Sequence, residues 1–96
     1  MQEITPNEVA DRPLIDVREA HEWQQGHAVG AIHIPMGEIV ERLPEVPDGA
    51  AIVCRSGARS ARVVAFLEQQ GLNAVNVAGG TIAWAADGRP MTGTVG

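Results

Sequence analysis

The chain has 96 residues, 45% of them hydrophobic, which is enough for one core and too little for two. Its formal net charge is −5, and every positive side chain is an arginine, which argues against general nucleic-acid binding because that needs a basic surface. The single cysteine cannot close an intramolecular disulfide, so a disulfide-stapled secreted scaffold is excluded and a reducing, cytoplasmic location is expected.

Met1 to Ile4 lacks a basic n-region and an apolar h-region, and no apolar run approaches the length of a membrane span. Neither a signal peptide nor a membrane partner is therefore expected. Thr5-Pro6-Asn7-Glu8 has the form of a helix start, with Thr5 as cap, Pro6 at the first helical position and Glu8 closing a capping box. That short helix is expected to end near Arg12-Pro13. Leu14 to Val17 reads as a strand interrupted by an acid, Asp16. Glu19 to Gln25 reads as a helix anchored by Trp23 and stopped by Gly26. Ala31 to Ile34 is a third apolar run ended by Pro35, and Ile39, Val40 and Leu43 suggest one helix face over Gly37 to Leu43. Pro44 and Pro47-Asp48-Gly49 form a turn-rich connection.

Ala50 to Val53 is an apolar strand that ends at Cys54. A loop of small and basic residues, Arg55 to Ser60, opens a helix that runs to about Gly71 with Val63, Val64, Phe66 and Leu67 as its bulk. Ala74 to Val77 is the last good strand, Gly79-Gly80 a turn, and Thr81 to Ala86 a short helix carrying Trp84. The tail from Gly88 is expected to fray. Short β-branched runs that alternate with short helices predict an α/β domain with a small, mostly parallel sheet covered by helices on both faces.

The Cys54 stretch carries the chemistry. Strand ends that face a helix N-terminus are where open α/β proteins place ligands, and unpaired N–H groups there favour an anion. A buried structural cysteine is the plain alternative, since free cysteine behaves as a small hydrophobe. Against it stand Gly57, which permits backbone geometry a β-carbon forbids, and Arg55 and Arg59, which add positive potential. Such surroundings lower a thiol pKa. The spacing Cys54-x4-Arg59 is one residue shorter than the Cys-x5-Arg loop of cysteine-dependent phosphatases, so it predicts a tighter cradle, suited to a sulfur atom more than to a phosphoryl group.

Four motifs together resemble the single-domain rhodanese family of thiosulfate sulfurtransferases. Cys54-Arg55-Ser56-Gly57-Ala58-Arg59-Ser60 is similar to the family's C-R-x-G-x-R-S loop, and Leu14-Ile15-Asp16-Val17-Arg18 to its first strand with D-V-R. The stretch from Glu22 through Gly26-His27 and Gly30-Ala31 to Ile34-Pro35 resembles E-x-x-x-G-H-I-x-G-A-x-x-I-P, with Ala28 in place of the usual isoleucine. Gly79-Gly80-Thr81-Ile82-Ala83-Trp84 resembles the closing G-G-x-x-x-W. The resemblance runs from about Ile4 to Met91.

It implies a single domain over 1–96 and a sulfurtransferase without cofactor. Cys54 would attack the outer sulfur of thiosulfate or a similar donor, and a thiol or cyanide would accept the sulfur from a Cys54 persulfide. Arg55, Ser56, Gly57, Ala58, Arg59 and Ser60 would form the substrate-binding loop. A protein acceptor stays open. The competing readings are a rhodanese-fold regulatory module with an incidental cysteine, a redox-sensing thiol, and last a phosphatase. Arg59 has two candidate roles, drawing in an anionic donor or bracing the loop by pairing with an acid. Asp16 is expected to be hydrogen-bonded to backbone or to an arginine. Arg18 and Glu22, at i and i+4, are expected to pair. His21, His27 and His33 do not share a helix face, so no metal site is expected. Trp23 and Trp84 are read as core anchors.

Overall fold

The computed structural model describes residues 1–93. Five strands build one sheet in the order β1-β6-β5-β2-β4, with every neighbouring pair parallel. They are β1 (Gln2–Ile4), β2 (Leu14–Asp16), β4 (Ile32–His33), β5 (Ala50–Val53) and β6 (Ala74–Val77). Three helices, α1 (Ala20–Gln25), α2 (Ala58–Gln69) and α3 (Gly80–Ala86), and two further short strands, β3 (Gly26–Ala28) and β7 (Met91–Gly93), complete the regular structure. The expected α/β class with a mostly parallel sheet is the one observed.

Burial on both faces explains the composition of the central strands. Every residue of β5 and β6 is buried, which requires continuous apolar runs in place of alternation. The side-chain alternation of β5 divides the core in two. Ala50, Ile52 and Cys54 pack with Val63, Val64 and Leu67 of α2 on one face. Ala51 and Val53 pack with Ile4, Val75, Val77 and Trp84 of α3 on the other. Trp84 is the core anchor expected of it, and its indole N–H donates to the Pro90 carbonyl at 3.1 Å.

Three expectations need correction. The helix over Gly37 to Leu43 is replaced by two single 3-10 turns, Met36–Glu38 and Leu43–Glu45. Ile39 is buried and Leu43 is packed on the α2 side of the core, but Val40, expected on the same face, is 66% exposed, so the spacing reported packing at two of its three positions. Gly37 and Pro44 leave too short a run to nucleate a helix. The segment after Thr5 is likewise one 3-10 turn, Pro6–Glu8, with the Thr5 N–H donating to Glu8 Oε1 at 2.8 Å. The tail from Gly88, expected to fray, forms β7 as far as Gly93 and pairs antiparallel with β3; the rest of that tail lies outside the described residues. Strand β1 escaped notice because Gln2-Glu3-Ile4 carries no pattern of its own; it is held by pairing with β6.

At the end of β2, Asp16 and Arg18 form a buried ion pair at 2.8 Å with side-chain exposures of 0% and 2%. Asp16 also accepts the Arg18 N–H at 2.9 Å, and the guanidinium donates to the Gly26 carbonyl at 2.7 Å. Arg18 therefore does not pair with Glu22. The contact ties the end of β2 to the start of β3. Removing one partner of such a pair leaves an uncompensated buried charge. Arg18→Leu should thus destabilise the fold by about 3 to 5 kcal/mol, seen as a large drop in the urea midpoint. Arg42→Ala, which breaks exposed ion pairs to Glu38 and Glu45, should leave the midpoint nearly unchanged.

Candidate functional site: the Cys54 loop

Cys54 follows the last residue of β5, at the C-terminal edge of the parallel sheet, and is 1% exposed. The loop after it is shorter than expected, because Ala58, Arg59 and Ser60 already form the first turn of α2. Gly57 is the cap of that helix, at φ 109°, a left-handed conformation natural only to glycine. This turn reverses the chain so that the Gly57 N–H points back at Cys54 Sγ, at 3.1 Å. The Ser60 hydroxyl, buried one helical turn along, lies 3.3 Å from the same sulfur. Seven consecutive residues thereby become a thiol with donors around it.

The backbone is held in place from the opposite side of the loop. Gly79 and Gly80, both at positive φ, bring the N-terminus of α3 against the Cys54-Arg55 peptides. The Thr81 N–H donates to the Cys54 carbonyl at 2.8 Å, and the Ile82 N–H to the Arg55 carbonyl at 3.2 Å. A β-carbon at Gly80 would sit 2.3 Å from the Arg55 carbonyl oxygen, so only glycine permits this approach. The Gly57 carbonyl is bound by the Asn76 side-chain amide at 3.1 Å and by the Ala61 N–H at 3.1 Å. These bonds fix the course of the loop around the sulfur.

Burial pushes the Cys54 thiol up, but hydrogen bonds from the Ser60 hydroxyl and the Ser60, Gly57 and Ser56 backbone outweigh it, and the net shift is downward. Of the two roles open to Arg59, bracing has a contact: its guanidinium forms a bidentate pair with Glu22 of α1 at 2.7 and 2.9 Å. The Arg59 hydrogen bonds hold the Glu22 carboxyl down at about 2. Arg55 and Ser56 are exposed at the rim of the loop.

Trp23 is not a core residue. It is half-buried and stacks with the His27 and His33 rings, at centroid distances of 3.5 and 4.6 Å. The imidazoles are engaged as well, His27 Nδ1 with the Trp23 carbonyl at 2.9 Å and His33 Nε2 with the Arg18 carbonyl at 2.8 Å. Among the described residues no group of three or more His, Cys, Asp or Glu side chains is placed to hold a metal ion, and no helix is long and apolar enough to cross a membrane. Two residues of the site carry no assignment from the sequence, Asn76 and Glu22 as the Arg59 partner. Asn76 did carry a signal, a polar residue inside an otherwise apolar strand, the same signal that drew notice to Asp16.

A parallel sheet with a thiol at the end of a central strand, met by donors from a helix mouth, defines the class of α/β domain. The Rhodanese-like domain family matches residues 2–87, and the chain belongs to that family. It is 43% identical over 86 residues to the sulfurtransferase of Allochromatium vinosum, covering 86% of this chain and 80% of that one. It is 37% identical over 70 residues to the thiosulfate sulfurtransferase PspE of Escherichia coli, covering 69% and 67%. The crystal structure of a rhodanese-related protein from Thermoplasma volcanium matches with a TM-score of 0.88 at 33% identity, over 96% of this chain and 98% of that one.

Two titrations test the electrostatics of this site. The Cys54 thiol should ionise below the ordinary cysteine range, and Ser60→Ala should return it upward. The ultraviolet absorbance of the thiolate reads this directly, because the chain has one cysteine and no tyrosine. For Glu22, the folded-state pKa is depressed, so its contribution to stability is present in full above the ordinary value of 4.5 and is lost as pH falls through about 2. The stability difference between wild type and Glu22→Gln should therefore be constant near neutral pH and shrink across that window, as measured by denaturation at several pH values.

Proposed function

We propose that the protein transfers a sulfane sulfur from thiosulfate or a similar anionic donor to a nucleophilic acceptor through a persulfide on Cys54. The convergence of the Gly57 N–H and the Ser60 hydroxyl on Cys54 Sγ carries this reading. These donors favour the thiolate, which is the nucleophile. Sγ attacks the outer sulfur of the donor and a new S–S bond forms. The donor's own S–S bond breaks, and sulfite leaves with the electron pair. The loop N–H groups from Arg55 to Ser60, with Ala58 at the first turn of α2, then face the terminal sulfur as an oxyanion hole faces oxygen. A thiol or cyanide attacks that sulfur, and the Cys54 thiolate is released. No cofactor enters either step. Acceptors are small nucleophiles or a thiol on a protein, and the lone cysteine fits a reducing compartment such as the cytoplasm.

Phosphate chemistry fits the site less well. A phosphoryl transition state spreads charge over three oxygens and needs converging cations and donors. The Arg59 guanidinium is engaged bidentately by Glu22, and the loop to it is one residue short of Cys-x5-Arg. Reduced protein incubated with thiosulfate and freed of excess should gain the mass of one sulfur atom. It should lose that mass to cyanide as thiocyanate, and it should not hydrolyse aryl phosphates. Cys54→Ser should show no gain. Sulfur uptake that persists in Cys54→Ser would sink the mechanism.

A further inference from the structure

Ser60 has one hydroxyl proton and two acceptors within reach. Cys54 Sγ lies at 3.3 Å and the Gly57 carbonyl oxygen at 3.2 Å. A proton given to the carbonyl is lost to the sulfur. A carbonyl oxygen has two lone pairs, and at Gly57 both have other donors, the Ala61 N–H of α2 and the Asn76 side-chain amide, each at 3.1 Å. The Ala61 bond comes with the helix. The Asn76 bond comes from another element, β6, beneath the loop.

The orientation of the Asn76 amide is set by its neighbours. Its Nδ2 lies 2.9 Å from Glu3 Oε2 as well as 3.1 Å from the Gly57 oxygen. Both partners are acceptors, so the nitrogen must face them and its two hydrogens are both used. Glu3 stands directly opposite Asn76 in the parallel register of β1 on β6. Asn76 is fully buried, and its Oδ1 has no partner among the described residues. An apolar residue here would avoid the cost of that orphaned oxygen, so the donated hydrogen bonds are what the amide contributes.

We propose that Asn76 is a positioning residue for the Cys54 site: oriented by Glu3, it occupies the Gly57 carbonyl and so releases the Ser60 hydroxyl to donate to Cys54 Sγ. The inference rests on the reading of Cys54 as a thiolate nucleophile. The Asn76 amide bonds Glu3 and the Gly57 carbonyl and acts on the sulfur through Ser60.

A double-mutant cycle on thiol acidity tests it, read by thiolate absorbance in wild type, Ser60→Ala, Asn76→Leu and the double variant. Ser60→Ala and Asn76→Leu should each raise the Cys54 midpoint by about one unit, roughly a tenfold loss of thiolate below it. The double variant should titrate with Ser60→Ala, because the proton Asn76 sets free is no longer there. A role in packing alone would lower the melting temperature and leave the midpoint in place. An Asn76→Leu midpoint equal to wild type, or a shift that adds in full to that of Ser60→Ala, overturns the proposal. Should Asn76→Leu fail to fold, Glu3→Lys takes its place at an exposed position of the edge strand. A cation there draws Oδ1 round and should raise the midpoint, against the lowering expected from added positive charge; an unchanged or lowered midpoint overturns the proposal. Sulfur uptake by the wild type, read by mass, is scored separately. Its absence would refute the sulfurtransferase reading without altering the cycle.

Discussion

A sulfur anion at the end of a parallel strand is stable only where backbone donors face it, and donors face it only when the carbonyls of the same peptides find partners elsewhere. The Cys54 loop meets this constraint with three separate elements. The N-terminus of α3 takes the Cys54 and Arg55 carbonyls, and Asn76 of β6 joins the first bond of α2 on the Gly57 carbonyl. The Gly57 N–H, 3.1 Å from the sulfur, belongs to the loop that these bonds hold. Much of the fold is arranged to supply these partners. The G-G turn exists so that α3 can approach without a β-carbon, and β1 supplies the acid that orients the Asn76 amide.

Local signals made the centre of this architecture legible. The runs at β2, β5 and β6 are apolar because both sheet faces are covered, and Cys54 stood out as a thiol between a strand and a glycine-containing helix start. Contacts between distant segments left no such mark. Gln2-Glu3-Ile4 and Met91-Thr92-Gly93 become strands through their neighbours, β6 and β3. Arg59 and Glu22 are 37 residues apart, so an acid for Arg59 could be expected but not named. Arg18 and Glu22 had the right helical spacing, yet Arg18 precedes α1 and folds back on Asp16. Spacing on a helix predicts a pair only where both residues are in the helix. Ile39 and Leu43 teach the same lesson: they are packed as a helix face would be, on a backbone that glycine and proline keep to single turns.

The distribution of charge bears on what the site can select. With a net charge of −5 the protein as a whole repels anions, so any attraction must be local and is screened beyond about 10 Å at ordinary ionic strength. Arg59 contributes less to it than its position suggests, because Glu22 balances its charge within the protein. Neutral dipoles also face the sulfur, namely the Gly57 N–H, the Ser60 hydroxyl and the N-terminus of the twelve-residue α2. Dipoles of this kind suit a diffuse anionic atom such as a thiolate sulfur. The same Glu22 that braces the loop by gripping Arg59 thus also balances that cation, so the hold on the loop and the weakened pull of Arg59 on anions follow from one ion pair.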